Sequence, residues 1–205
     1  MKQSRKRLFI SKKTGAKERE KMIKLALENE CNTLVFSLDD PFFLSKNRKH
    51  KYINLAKIYP INIEAGGHNM SLLLPRSKFL FNRDLFRMEQ GRRKAAYHFC
   101  PTNPKTTEII ANKAYQLFSN SVHYVTLPRI IHLLPDKNHE NTWCQCPACR
   151  AFRPAEQYII AVNIAADALA KFDPDAKLAY IDFDTEPEAA RVKPRANTLI
   201  IGKGE

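Results

Sequence analysis

The sequence lacks the features that mark membrane, exported and nucleotide-binding proteins. No apolar run approaches the roughly 18 residues that a bilayer-spanning helix requires, and the mean hydropathy is −0.43. Residues 1–13 carry the positive charge of a signal peptide, but only Leu8-Phe9-Ile10 follow as an apolar stretch. A secretory core needs about 7–15 apolar residues, so the expected compartment is the cytoplasm. Neither a Gly-x-Gly-x-x-Gly fingerprint nor a Walker A sequence occurs, which leaves nucleotide binding by those devices unsupported. Acidic residues are scarce beside basic ones, with 21 Asp+Glu against 34 Lys+Arg and a net charge of +13.

That charge alone points to an anionic partner such as nucleic acid. Its distribution points elsewhere. Residues 1–24 hold ten Lys/Arg and two Glu, a net of +8, which leaves +5 for the rest of the chain. Residues 1–17 therefore read as a basic N-terminal arm, with the outer face of a first helix beyond it, and a solvated arm is favoured over a nucleic-acid site. A globular composition, 44% hydrophobic and 27% charged, rules out wholesale disorder.

Residues 18–205 read as a single domain of alternating elements. Helices are expected over residues 18–30, 51–58, 104–118 and 154–172. Strands are expected over 33–38, 61–65, 129–134, 177–183 and 197–201. Asn103 is placed to cap the third helix and Pro104 to open it. The segment from Asn69 to Cys100 is too long for a simple βα connection, and Phe79, Phe81, Leu85 and Phe86 are expected to pack it onto the body. Short apolar strands separated by helices predict a parallel sheet. Polar residues recur after strand ends: Asp39 and Asp40, His68 and Asn69, Asp136 and Lys137, Asp184 and Glu186. In a (β/α) barrel the site is built at those ends, so the expected fold is an α/β, TIM-type barrel. A complete barrel takes about 250 residues. About five strands cannot close eight, so the barrel is expected to be partial or shortened.

Three cysteines form Cys144-x-Cys146-x-x-Cys149, a spacing that can wrap a soft cation. A structural zinc needs a fourth ligand. His139 is nearest in sequence, while His132 and Cys100 require the fold to return them. Reduced thiols or a single labile disulfide are the alternatives to a metal.

Several linked motifs carry a family resemblance. They are Gly66-Gly67-His68, Leu74-Pro75, Phe86-Arg87-Met88, Gly91-Arg92-Arg93 and Cys100-Pro101-Thr102-Asn103-Pro104. They continue with His132-Leu133-Leu134-Pro135-Asp136, the run from Trp143 to Arg150, Asn163 to Leu169, Asp173 to Ala176, and Lys193-Pro194 with Asn197. Together they resemble the bacterial family catalogued as domain of unknown function 4838. Its members are similar to the (β/α)-barrel catalytic domain of α-glucuronidases. The resemblance implies a glycoside-hydrolase-like barrel for carbohydrate, with acidic sugars such as glucuronosides as candidates. In two places the chain departs from the family: Lys137 stands where a second acidic residue is usual, and Pro187-Glu188 replaces a Pro-Pro pair.

Glycoside hydrolysis uses two carboxyl groups that face each other across the bond. Asp136 and Asp184, after different strands, are the candidate pair, with Glu140 and Glu186 in reserve. His68, Arg76, Asn103 and Trp143 are the candidate substrate contacts. The imidazole can bind hydroxyls, the guanidinium can bind a sugar carboxylate, and the indole can stack on a ring face. Two alternatives share the residues: a catalytically degenerate carbohydrate-binding protein, and a zinc-clip protein that binds nucleic acid with its arm.

Overall fold

Short apolar runs, each flanked by turn-forming or charged residues, become the strands of one parallel sheet. The protein was studied as a computed structural model, which describes residues 6–11, 13–40, 54, 58–121, 125–137, 142–183 and 190–202. The sheet comprises β1 (Arg7–Ile10), β2 (Thr33–Phe36), β3 (Asn62–His68), β6 (Ile130–Leu134), β7 (Lys177–Ile181) and β8 (Thr198–Ile201). They lie in the order β1-β2-β3-β6-β7-β8. Every pairing is parallel, and the register runs through Phe36, Ala65 and Ile131 to Leu178 and Thr198. The order follows the sequence without reversal. A barrel winds in that way, whereas a doubly wound sheet reverses at its switch point.

Three helices stand out among the described residues: α1 (Ala16–Glu28), α2 (Pro104–Ser121) and α3 (Pro154–Phe172). Asn103 caps α2 as its sequence position suggested, with Oδ1 accepting from the Lys105 and Thr106 amides. Pro154 opens α3, and Glu156 reaches back to the Arg153 amide at 2.8 Å. The main core lies between the helices and one face of the sheet. Ile23, Ile110, Ala114, Phe118, Ala161, Val162 and Leu169 meet Leu34, Phe36, Ile63, Ile131, Leu133 and Leu178 there. Alternation along the strands sends Phe9, Ile130, Leu134, Ala179 and Ile201 to the opposite face, where they form a separate cluster. That second face is the one a barrel would enclose.

Four expectations shift. First, Arg7–Ile10, read as part of a solvated arm, is a strand, so the described sheet has six strands rather than five. Arg7 is not a surface charge: its Nε donates to Glu64 Oε2 at 3.0 Å, and both side chains are buried. Arg19, assigned to the outer face of the first helix, is likewise buried, with its guanidinium 2.7 Å from Asp40. Second, Gly66 and Gly67 lie within β3 instead of ending it. Gly66 has φ +119, and a Cβ there would come within 2.0 Å of the His132 carbonyl oxygen, so only glycine lets β3 lie against β6. Third, Phe81, expected to pack onto the body, is exposed. Fourth, the helix expected over residues 51–58 lies largely outside the described residues.

The long segment after β3 has local structure of its own. Short 3₁₀ turns at Met70–Leu73, Arg76–Leu80 and Arg83–Leu85 lead into a hairpin of β4 (Met88–Glu89) and β5 (Arg92–Arg93). Its two turn residues, Gln90 and Gly91, both have positive φ, as a two-residue hairpin demands. Phe86 is buried and receives Phe79 edge-on at 5.2 Å.

Candidate functional site

At the C-terminal ends of β1, β2, β3 and β6 the sheet opens into a cleft of about 440 Å³. Phe9, Val35 and Gly67 give it an apolar floor, and Ser37, Asp39, His68, Asn69 and Lys137 supply its polar groups. His68 ends β3 in an exposed position. Its Nδ1 lies 2.5 Å from the Pro135 carbonyl oxygen. A carbonyl has no proton to give, so Nδ1 carries the hydrogen, and in the neutral ring Nε2 is left as an acceptor. Across the cleft, Ser37 Oγ lies 2.7 Å from Asp39 Oδ1 and 3.1 Å from Asn69 Oδ1. One hydroxyl proton serves only one of these oxygens, and the shorter contact to the carboxylate takes it. Asn69 Nδ2 is buried without a hydrogen-bond partner. Rotating the amide by half a turn lets Nδ2 donate to Ser37, which donates to Asp39. Ser37, Asp39 and Asn69 thus form one relay at the ends of β2 and β3.

Beneath the cleft, on the same face of the sheet, lies a closed polar cluster. Glu64 Oε2 accepts from His132 Nε2 at 2.5 Å and from Arg7 Nε at 3.0 Å. Burial by itself would raise the Glu64 carboxyl, but His132 and Arg7 outweigh it and hold the group below its ordinary value.

Asp136 is a hub of the loops. Its Oδ1 accepts from the Ser71 amide at 3.2 Å, and its Oδ2 accepts from the His98 amide at 3.1 Å. Both oxygens of this buried candidate acid are therefore engaged by backbone donors. Asp184, its intended partner, lies outside the described residues, as do Glu140 and Glu186. Arg76 donates to the carbonyls of Ser71, Ala95, Tyr97 and His98. Its guanidinium organises backbone rather than facing the cleft, and burial lowers its pKa while Asp136 opposes that shift. Trp143 is buried, with its ring stacked on His98 at 4.3 Å and 7°. Asn103 caps α2 and binds Asp84. Of the four residues expected to contact substrate, His68 alone lines the cleft. Lys137, read in the sequence as a departure from the family, lines it too.

The cysteine motif gains a fourth member. Cys100, Cys144, Cys146 and Cys149 are all buried, with their sulfurs within 4.8 Å of one another. Cys100 Sγ lies 3.7 Å from Cys146 Sγ and 3.6 Å from Cys149 Sγ. Four sulfurs about 2.3 Å from a central zinc form a tetrahedron with edges of about 3.8 Å, so this spacing suits a metal. His139, the expected fourth ligand, lies outside the described residues, and Cys100 fills the position. Donors surround the sulfurs: the Met88 amide 3.2 Å from Cys144 Sγ, Arg93 Nη1 3.7 Å from the same sulfur, and the Thr102 hydroxyl 3.0 Å from Cys149 Sγ. Gln157 of α3 holds the loop by binding Cys144 N and the carbonyls of Cys144, Cys149 and Phe152. Hydrogen bonds from Cys144 and Cys149 hold the Cys100 thiol far below its ordinary value. The same contacts raise its neighbours, Cys144 to about 11 and Cys149 further. One thiolate therefore forms readily here, and a cation is what would let the others follow.

No protein-family model matches the chain, and no curated protein matches it. Among solved structures, one of the tandem GH20 catalytic modules of the pneumococcal exo-β-D-N-acetylglucosaminidase StrH is similar, with a TM-score of 0.65 and 11% identity. The likeness covers 95% of this chain and 57% of that one. The likeness is one of fold, a parallel α/β sheet wound in the manner of a (β/α) barrel. The chain spans little more than half the length of that structure. The endo-1,4-β-xylanase XylE of Penicillium canescens matches more loosely, with a TM-score of 0.40, 12% identity, and coverage of 86% of this chain and 49% of that one. Among the described residues no helix is long and apolar enough to cross a membrane.

Proposed function

We propose that this chain is a carbohydrate-active module of glycoside-hydrolase type that binds an acidic sugar in the cleft at its strand ends. The observation that carries the reading is the composition of that cleft. His68 Nε2 and Asp39 accept hydrogen bonds from hydroxyls, Asn69 and Ser37 extend the network, Phe9 offers an apolar surface, and Lys137 is the cation that meets a carboxylate. The sequence reading gave the carboxylate to Arg76. With Arg76 committed to carbonyl groups, Lys137 takes that role. The sequence resemblance to the domain of unknown function 4838 family and its α-glucuronidase-like barrel supports the same substrate class.

Whether sugar is cleaved rests on Asp136 and Asp184. A specific observation favours binding over hydrolysis: both oxygens of the buried Asp136 accept backbone amides, and Asp136 is not among the residues that line the cleft. The test is release of product from aryl-glucuronosides, alongside calorimetric binding of methyl glucuronoside and methyl glucoside. Binding of the glucuronoside without turnover supports the binding module. Turnover abolished by Asp136→Asn would restore the hydrolase with Asp136 in its mechanism. Absence of binding to both sugars would end the carbohydrate reading.

A structural zinc in the four-cysteine cluster belongs to the same account. An all-sulfur donor set at these spacings selects zinc or iron over hard cations. About one zinc per chain is expected in protein purified without chelator, and it should be absent from the Cys146→Ser, Cys149→Ser double variant. A metal-free, fully folded chain would overturn it.

A further inference from the structure

The zinc cluster and the cleft look unrelated in sequence, but the fold joins them through a short series of contacts. Cys100 follows His98 by two residues, and Cys144 follows Trp143 directly. The rings of His98 and Trp143 stack face to face at 4.3 Å. A metal bound by Cys100 and Cys144 therefore clamps the two strands of chain that present those rings. His98 passes the constraint on through its amide, which donates to Asp136 Oδ2, while Asp136 Oδ1 holds Ser71. Pro135, next to Asp136, supplies the carbonyl that fixes the His68 ring, and Ser71 and Lys137 line the cleft themselves. Arg76 adds a second tie from the same loop to Ser71 and His98.

We infer that metal in the four-cysteine cluster locks the wall of the cleft, setting the orientation of His68 and the placement of Ser71 and Lys137. The metal supplies a stronger constraint than the hydrogen bonds that also join the two loops at the cysteines, from Met88 N and Arg93 Nη1 to Cys144 Sγ and between Thr102 and Cys149. Met88 to Gln145 and Gln90 to Gln145 are single hydrogen bonds, and the one beyond Met88 is exposed. Without metal, the sulfurs that approach to 3.6–3.7 Å lose the cation that holds them together. The Asp136 latch then bears the strain of two loops. Ligand affinity in the cleft becomes dependent on metal, although the metal touches no ligand. The inference rests on the zinc reading above but not on the carbohydrate one, because its first readout needs no sugar.

The experiment uses the full chain. Cobalt(II) substitution reports whether four thiolates surround the metal, through the intense absorption of tetrahedral cobalt–thiolate centres. Hydrogen exchange is then measured on the zinc-loaded and chelator-treated protein. The amides of Ser71 and His98 are expected to lose protection at least tenfold on metal removal, while amides in β2 and β3 keep theirs. The nitrogen shifts of the His68 ring should move from a single Nδ1–H tautomer towards a mixture. No cobalt–thiolate band would defeat the zinc reading itself. A cobalt band with unchanged exchange at Ser71 and His98 would overturn the lock alone. If the metal-free chain unfolds throughout, zinc-loaded Asp136→Asn decides. Selective release of both amides with zinc retained supports the lock, and unchanged exchange overturns it.

Discussion

Two polar regions lie on neighbouring loops and differ in one respect: one is closed and the other is open. Around Asp136 and the cysteines, the groups that shape the loops hold partners from the protein. Asp136 holds two amides, Arg76 four carbonyls, Gln157 four backbone groups, and each sulfur another sulfur or a donor. In the cleft, His68 keeps an acceptor nitrogen, and Lys137 is exposed in the lining. Buried polar groups are costly unless satisfied, so a fully satisfied cluster builds structure. Polar groups left open at a concave surface are those a ligand can complete. By that distinction the residues most conspicuous in the sequence, Asp136, Arg76 and Trp143, form the frame, and His68 with Lys137 forms the binding surface.

The contrast predicts graded effects. The largest belongs to the metal cluster. The Cys146→Ser, Cys149→Ser double variant is expected to lose zinc and at least about 5 kcal/mol of stability, a fall of roughly 10–20 °C in thermal midpoint for a chain of this size. Metal analysis and calorimetry check both. Next is the closed cluster under the cleft. Glu64→Gln leaves Arg7 buried against a neutral partner and should cost about 3–5 kcal/mol in urea unfolding at neutral pH. The Glu64 carboxyl is held below its ordinary value of 4.5, so its contribution is present above that pH and is lost as pH falls through the lower folded value. The wild-type chain should therefore weaken on acidification below about pH 4.5, and the variant's curve should be flatter over that range. A wild-type curve with the same acid limb as Glu64→Gln would remove this pair from the account.

Asp136→Asn ranks third. It exchanges an acceptor oxygen for a donor facing an amide, which should cost about 1–3 kcal/mol. The smallest stability effects belong to the open region. His68→Ala and Lys137→Ala should stay within about 0.5 kcal/mol of the parent, yet each should weaken sugar binding tenfold or more. For Lys137→Ala the loss should be confined to the acidic sugar, and equal loss for methyl glucoside would contradict its assignment to the carboxylate. If His68→Ala destabilised the chain as much as Asp136→Asn, the division between frame and surface would collapse.

Much of the fold was legible because local signals agreed. Pro154 and the apolar repeat through Leu169 place α3 at residues 154–172, as observed, and Asn103-Pro104 mark the start of α2. β1 was hidden because a four-residue strand begins with arginine inside a basic stretch. Its charge is neutralised by Glu64, 57 residues away, which no local pattern reveals. The site was legible by residue type but not by role. Three cysteines announced themselves by spacing, whereas Cys100 joins them from 46 residues before Cys146, and only the fold returns it. A guanidinium suits a sugar carboxylate and a set of backbone carbonyls equally well, so Arg76 could not be assigned from sequence. Trp143 is the same case: a ring that suits a sugar face also suits the face of His98.

The most direct test of the division between closed frame and open surface is a sugar titration followed by NMR at single residues. Methyl glucuronoside added to the zinc-loaded chain should shift the His68 ring and the Ser71 and Lys137 amides in a saturable way. The amides of Cys144 and Cys149 should stay fixed, and methyl glucoside should bind more weakly at the same place. Shifts centred on Trp143, or no saturable change at His68 with either sugar, would contradict the account.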